Sequence, residues 1–335
     1  MKVLRDIKQL SPQLRSSSRP QNGSHEPSEI TRSVVSIGNF DGVHLGHRAL
    51  LQNLLQKSRE LQAKSVVMTF DPHPMQILYP EKKLIKLFDR DDQISELEKM
   101  GIDYLFIQPF SRELSQMSPE TFLKEIIFEP LSPIALVVGY DFSFGANRSG
   151  NIPLLEKLSQ EWGFELQVVP PLRKKEQIIS SSYIREKIKL GEMEKAQEAL
   201  SRPFYLKGVV IKGAQRGRHL GFPTVNIASG TGVAPSPGVY VTHTQVKGQF
   251  FPSVTNVGFN PTFEDDRNSQ KNNMKIETYI LDFDQDLYGE VLSVDFFKKL
   301  RVEKKFSSIQ ELKKQITEDV QMTRDFFRNY KDLKK

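Results

Sequence analysis

The chain is 335 residues long, 38% apolar and 26% charged, with no cysteine; at about 100–200 residues per domain it has room for about two. The missing cysteine excludes disulfides, thiolate metal ligands and cysteine nucleophiles, and it fits a reducing cytoplasm. The longest aliphatic run, 134–138, is too short to span a membrane, and the first thirty residues are charged and Ser/Pro-rich without a secretory apolar stretch.

In chain order, short β-rich runs fall at 34–37, 66–70, 104–107, 134–138 and 166–169. Helical patterns lie between them, such as Leu50, Leu51, Leu54, Leu55 and Leu61, spaced to bury one face. Alternating strands and helices predict a parallel sheet that binds ligands at the carboxyl ends of its strands. Residues 182–200 read as a helical linker interrupted by Gly191. Six further strands, at 207–211, 225–227, 238–242, 250–255, 275–281 and 291–296, follow one another with no helix between them. They predict a small antiparallel barrel. Ser308-x-x-Glu311 then predicts a capping box, opening a helix whose Ile309, Leu312, Ile316, Val320 and Phe327 pack on that barrel.

The charge divides at the same place. Forty-seven Lys and Arg against 41 Asp and Glu leave +6. Residues 1–186 hold 23 of each sign, while 187–335 hold 24 basic and 18 acidic side chains, so the excess belongs to the second half. That break predicts two separately built domains, 1–186 and 187–335, and it raises the possibility of a nucleic-acid partner.

The first strand runs into Gly38-Asn39-Phe40-Asp41-Gly42-Val43-His44-Leu45-Gly46-His47. Two histidines three apart at a helix N-terminus point the same way, beside free backbone N–H groups and the positive end of the helix dipole. Gly46 between them admits a ligand close to the backbone. This suits attack on the α-phosphate of a nucleoside triphosphate, assisted by charge stabilisation. Taken alone, the pair reads equally as surface histidines or as half a metal site, although no third Cys or His lies near in sequence.

The ten-residue run resembles the signature of the bacterial bifunctional riboflavin kinase/FAD synthetase family. Further blocks follow in that family's order: Thr69 to Pro74, then Val137 to Gly145 with Arg148 and Gly150, then Ile179 to Arg185. The resemblance implies an α/β plus all-β fold, with an N-terminal Rossmann-like nucleotidylyltransferase domain and a C-terminal six-stranded antiparallel barrel with a terminal helix. It implies that Gly38, Phe40, Asp41, Gly46, Ser181 and Ser182 bind ATP phosphates, with His44, His47 and Arg185 catalytic. Gly139, Asp141, Phe144 and Arg148 fall in the segment that forms the family's flavin pocket. By residue chemistry alone, Ser180-Ser181-Ser182 with Arg185 is an N-cap or a phosphate site, and Gly139 to Gly145 is a tight turn or a ligand loop. His73 receives no role.

In the second half, Gly208 to Asn226 joins a strand, a glycine-spaced basic loop and Pro223-Thr224-Val225-Asn226. The glycines Gly213 and Gly217 free the backbone to wrap phosphates, and Lys212, Arg216 and Arg218 add positive charge. Thr224 and Asn226 are two apart on a strand and share a face, which suits Mg²⁺ or a merely polar strand surface. This run resembles the riboflavin kinase module, as do Asn256 to Phe263 and Leu281 to Asp284. The resemblance implies Thr224 and Asn226 at the metal, Glu277 as general base, and riboflavin, FMN, FAD and ATP as substrates and products, with no nucleic-acid or membrane partner. Arg301 stands out of the basic cluster 298–305 as a flavin contact, and the rest reads as a solvated face.

Departures from the family pattern are few. Ser182 stands for Thr, Ser201 for Gly, and Tyr279 for His, while the loop 264–274 is longer than usual. There is no Gly-x4-Gly-Lys-Ser/Thr loop and no His-Arg-Asp or Asp-Phe-Gly, which excludes P-loop and protein-kinase chemistry. Asp282-x-Asp284-x-Asp286 is an acidic turn rather than a calcium loop, because Leu287 occupies the glycine position.

Overall fold

A computed structural model describes residues 1–5, 30, 32–82, 84–213, 217, 220–229, 232–259 and 274–332. It divides into two compact units, Met1–Leu84 with Phe88–Ile179, and Ile85–Leu87 with Ser180–Lys335.

The first unit is an open parallel sheet. Its strands are β1 (Lys2–Leu4), β2 (Ser33–Ile37), β3 (Lys64–Asp71), β4 (Tyr104–Pro109), β5 (Pro133–Gly139) and β6 (Glu165–Val169), in the order β1-β4-β3-β2-β5-β6. Alternate residues of the central strands go to opposite faces, as a strand's period of two demands. Val35, Val66, Met68, Leu136 and Val138 enter one core, while Val34, Val67, Ala135 and Val137 enter the other with Leu50, Leu51 and Leu54 of α1 (Leu45–Glu60). Coverage on both faces explains why these strands read as unbroken apolar runs. The chain steps from β2 through β3 to β4 on one side, then returns to β5 on the other side of β2. That reversal opens a crevice between the carboxyl ends of β2 and β5, the place where open α/β sheets bind ligands. β1 is a strand the sequence reading missed, because three residues are too few to show a period. A short antiparallel hairpin, β7 (Arg173–Lys174) with β8 (Gln177–Ile178), was likewise invisible.

The second unit is a closed antiparallel barrel. Its strands are β9 (Phe204–Ile211), β10 (Thr224–Ser229), β11 (Gly238–Val246), β12 (Gln249–Phe259), β13 (Met274–Ile280) and β14 (Val291–Arg301). They close in the order β10-β13-β12-β11-β14-β9, with β9 paired back to β10. Strict alternation sorts them: Ile276, Thr278 and Ile280 of β13 are buried, while Lys275, Glu277 and Tyr279 face outward and are half-buried. The interior is not purely aliphatic. Thr242, Thr244, Ser253, Thr255 and Thr278 are all fully buried, and their hydroxyls bond to one another at 2.8–2.9 Å across three strands. Each hydroxyl can donate and accept, so the ladder satisfies its members without water.

Residues 182–200 are helical and interrupted at Gly191 as the sequence predicts, and they form two packed helices. They are α2 (Ser181–Leu190), ended by Gly191 at φ 79°, and α3 (Met193–Leu200), whose Met193, Ala196, Ala199 and Leu200 are buried. Ser201, standing where the family has Gly, adopts a left-handed φ of 62° after α3, a conformation that glycine tolerates at no steric cost. The terminal helix α4 (Ile309–Asp332) is capped by Ser308, which accepts from Glu311 N at 3.1 Å. The reciprocal contact of Glu311 goes to Ser307 N instead of Ser308 N. Two expectations are corrected here. Ile309 is 66% exposed and outside the buried face, where Asp319 and Thr323 stand instead beside Phe327. Lys299 is not part of a solvated face, since its Nζ donates to Ser236 Oγ at 2.8 Å over the Tyr240 ring.

Candidate active sites

The loop after β2 is built under backbone constraint. Phe40, Gly42 and Val43 all have positive φ, at 48°, 80° and 38°. Such values are uncommon for any side chain and rarest for a β-branched one, so the surrounding contacts must hold the turn. They are visible: Phe40 and Val43 are buried in the core, Gly38 N donates to Met68 O at 3.0 Å, and Gln93 Nε2 donates to Asn39 O at 2.7 Å. Asp41 Oδ1 accepts from Phe88 N at 3.4 Å. The turn delivers His44 as the N-cap of α1, its Nδ1 accepting from His47 N at 3.3 Å.

The two imidazoles stack, with centroids 3.7 Å apart and 16° between planes, and Phe40 meets His47 edge-on. Burial, with His44 beside it, holds the His47 imidazole well below the usual 6.5, so it is neutral at pH 7. Its Nδ1 is buried and has no hydrogen-bond partner among the described residues. A Cβ on Gly46 would lie 3.1 Å from the His44 ring and 3.2 Å from Ile179 O, so a side chain there would crowd both. His73 caps the short helix Pro74–Leu78, its Nδ1 accepting from Met75 N at 3.1 Å.

The segment after β5 lies at the other lip of the crevice. Phe144 is buried, stacks on Phe142 and bridges to Gly150, where a Cβ would strike its ring. Arg148, at φ 57°, donates from Nε to Ser143 Oγ at 2.7 Å. Gly139 and Asp141 are adjacent, a Cβ on the glycine falling 3.3 Å from Asp141 Oδ1. Ser181, Ser182 and Arg185 stand in the first turns of α2, capped by Ser180 and grouped with the second unit.

On the barrel, strand register does what sequence could not. Asn226 is the direct partner of Glu277, Glu277 of Asn256, Asn256 of Val239, and Val239 of Arg301. Directly opposed residues share a face, so these five form one outward row. Thr224, two residues from Asn226, stands on the same face. Gly213 lies over Asn226, whose amide a Cβ there would hit, and a Cβ on Gly217 would lie 3.2 Å from Thr224 Oγ1. Lys275 Nζ pairs with Glu277 at 2.7 Å. Arg301 is forked by Asp319 of α4, with Nε–Oδ1 at 3.1 Å and Nη2–Oδ2 at 2.8 Å. Arg216, Arg218 and the loop residues 264–273 lie outside the described residues. Sequence reasoning missed Asn256 and Asp319 as neighbours, because strand pairing in a closed barrel and packing of the terminal helix join residues far apart in the chain, and it overlooked Lys275, only two residues from Glu277 on the same strand face.

Thr224 and Asn226 offer two neutral oxygen donors on one strand face, cradled where Gly213 and Gly217 leave room. That donor set fits a hard divalent cation such as Mg²⁺, which keeps waters and shares substrate phosphates.

A parallel sheet with a histidine-capped helix at its switch point, followed by a small closed barrel, defines a two-module α/β plus all-β protein whose sheet crevice suits a nucleotide phosphate. Residues 26–183 match the family described as FAD synthetase, and residues 200–327 that described as riboflavin kinase. The bifunctional riboflavin kinase/FMN adenylyltransferase of Bacillus subtilis is 34% identical over 304 residues, 90% of this chain and 94% of that protein. Its Escherichia coli counterpart is 34% identical over 328 residues, 98% of each chain. The crystal structure described as a macrolide-efflux protein from Streptococcus pneumoniae matches with a TM-score of 0.81 and 29% identity, over 89% of this chain and 95% of that one. The chain belongs to the bifunctional riboflavin kinase/FMN adenylyltransferase family. Among the described residues, no helix is long and apolar enough to cross a membrane.

Proposed function

We propose that residues 187–335 phosphorylate riboflavin with ATP and that residues 1–186 adenylylate the resulting FMN to FAD. In the first reaction Glu277 takes the proton from the terminal ribityl hydroxyl as its oxygen attacks the γ-phosphorus, and the bond to the β-phosphate oxygen breaks to release ADP. Thr224 and Asn226 would hold Mg²⁺, which when bound neutralises charge on the phosphates. Gly213 and Gly217 border the triphosphate. Arg301 keeps its place in the outward row through Asp319 and contacts the flavin.

In the second reaction the FMN phosphate attacks the α-phosphorus of ATP and pyrophosphate leaves. His44 and His47 stabilise the charge that develops there. Anionic phosphate beside the neutral His47 favours its protonated form, so binding draws a proton onto the imidazole. Gly38, Phe40, Asp41 and Gly46 bind the nucleotide, and Gly139, Asp141, Phe144 and Arg148 receive the flavin at the crevice's second lip.

The placement of Glu277 directly opposite Asn226 on one outward face carries the kinase assignment. Purified protein given riboflavin and Mg-ATP, with flavins resolved by chromatography, is expected to accumulate FMN and then FAD. Formation of neither would contradict the reading, and FMN without FAD would leave only the kinase.

A further inference from the structure

The outward row of the barrel has a second carboxylate beside it. Glu303 follows β14, two residues beyond Arg301, and its Oε1 accepts from Asn256 Nδ2 at 3.1 Å. The same carboxylate lies over Gly258, two residues further along β12, where a Cβ would come within 2.6 Å of Oε1. Any larger residue at 258 would displace Glu303 from Asn256. Asn256 is the direct partner of Glu277 on one side, as Asn226 is on the other. The base therefore stands between two asparagines, one lying beneath Gly213, which leaves it room, and the other tied to Glu303.

An asparagine amide has a donor end and an acceptor end, and unconstrained it can present either. A carboxylate oxygen only accepts, so Glu303 selects the NH₂ end of Asn256. The Oδ1 end is then left for the row. Glu303 is itself exposed, and its bond to Asn256, the register partner of Glu277, links it to the row.

We propose that Glu303 is a positioning residue of the kinase site. It fixes the Asn256 amide so that Oδ1 accepts from a hydroxyl of the polyol substrate chain and holds the terminal alcohol against Glu277. This rests on the reading of Glu277 as the base. The ligand class is a chain of vicinal hydroxyls ending in a primary alcohol, and the role concerns that substrate rather than ATP.

Three variants of the full chain test it: Glu303→Ala, Glu303→Gln and Glu277→Ala, each assayed for riboflavin phosphorylation with riboflavin and ATP varied separately. Adenylylation of supplied FMN serves as the control. Glu303→Ala should lower kcat/KM for riboflavin about ten-fold while KM for ATP stays within about two-fold. Glu303→Gln, whose amide oxygen can accept the same bond but whose NH₂ can also donate, should recover part of the loss, and both should adenylylate FMN normally. Wild-type phosphorylation by Glu303→Ala would overturn the proposal, as would equal damage in the Gln variant or a shift confined to KM for ATP. If Glu277→Ala is inactive while Glu303→Ala is normal, only the positioning role falls; if Glu277→Ala still phosphorylates riboflavin, the base assignment falls and takes the proposal with it.

Discussion

Asp295 illustrates how one side chain outside the candidate sites sets a pH dependence of stability. It sits half-buried on β14, opposite His243 on β11 and Tyr205 on β9, and burial pushes its carboxyl up to about 7 from 3.8. Between those two values the folded chain holds a proton that the unfolded chain has released. Stability from this group is therefore complete below pH 3.8 and is lost as pH rises through about 7. Asp295→Asn keeps the shape and removes the titration. It should be the more stable protein at pH 8, by roughly a few kcal/mol, and the advantage should shrink steadily on acidification. Denaturation at several pH values reads it, and an advantage that grows as pH falls would contradict the assignment. Residues of this kind were opaque in the sequence. His44 and His47 were legible because strand, turn and helix follow one another within ten positions. Asp295 and Asp319 depend on neighbours brought in from other strands and helices.

At the scale of elements, α4 shows what periodicity gives and what it leaves out. The helix and its cap were legible from Ser308, Glu311 and the spacing of Leu312, Ile316, Val320 and Phe327. Ile309 fits the same period, yet it lies in the first turn and remains exposed. Two polar residues took places on the buried face instead, because each brings its own partner. Asp319 forks Arg301, and Thr323 Oγ1 donates to Asp319 O at 2.9 Å. At the other end Phe327 stacks on His243 at 3.9 Å and packs edge-on against Phe297. Phe327→Ala should therefore cost about 3–5 kcal/mol by emptying a buried aromatic site. Ile309→Ala should change stability by no more than about 0.5 kcal/mol. Thermal unfolding of the two variants checks the contrast, and similar losses would mean that the helix packs along its whole apolar stripe. The barrel teaches a related lesson. Strand positions were readable from β-rich runs and turns, whereas the register that aligns Asn226, Glu277 and Asn256 arises only when the barrel closes.

For the whole molecule, the charge division and the change from alternating to consecutive strands already indicated two building plans in one chain. The structure gives them as a parallel sheet and a closed barrel, each with its own core. The basic excess sits in the half that matches the riboflavin kinase family, where ATP is the anionic partner. The central claim is that two chemistries are separable, one dependent on Glu277 and the other on His47. The most direct measurement is a crossed assay of the purified variants Glu277→Ala and His47→Ala, with either riboflavin or FMN supplied beside Mg-ATP. Glu277→Ala should make no FMN yet convert supplied FMN to FAD, and His47→Ala should make FMN and stop there. Loss of both activities in either variant while it remains folded, or FMN formation by Glu277→Ala, would contradict the account.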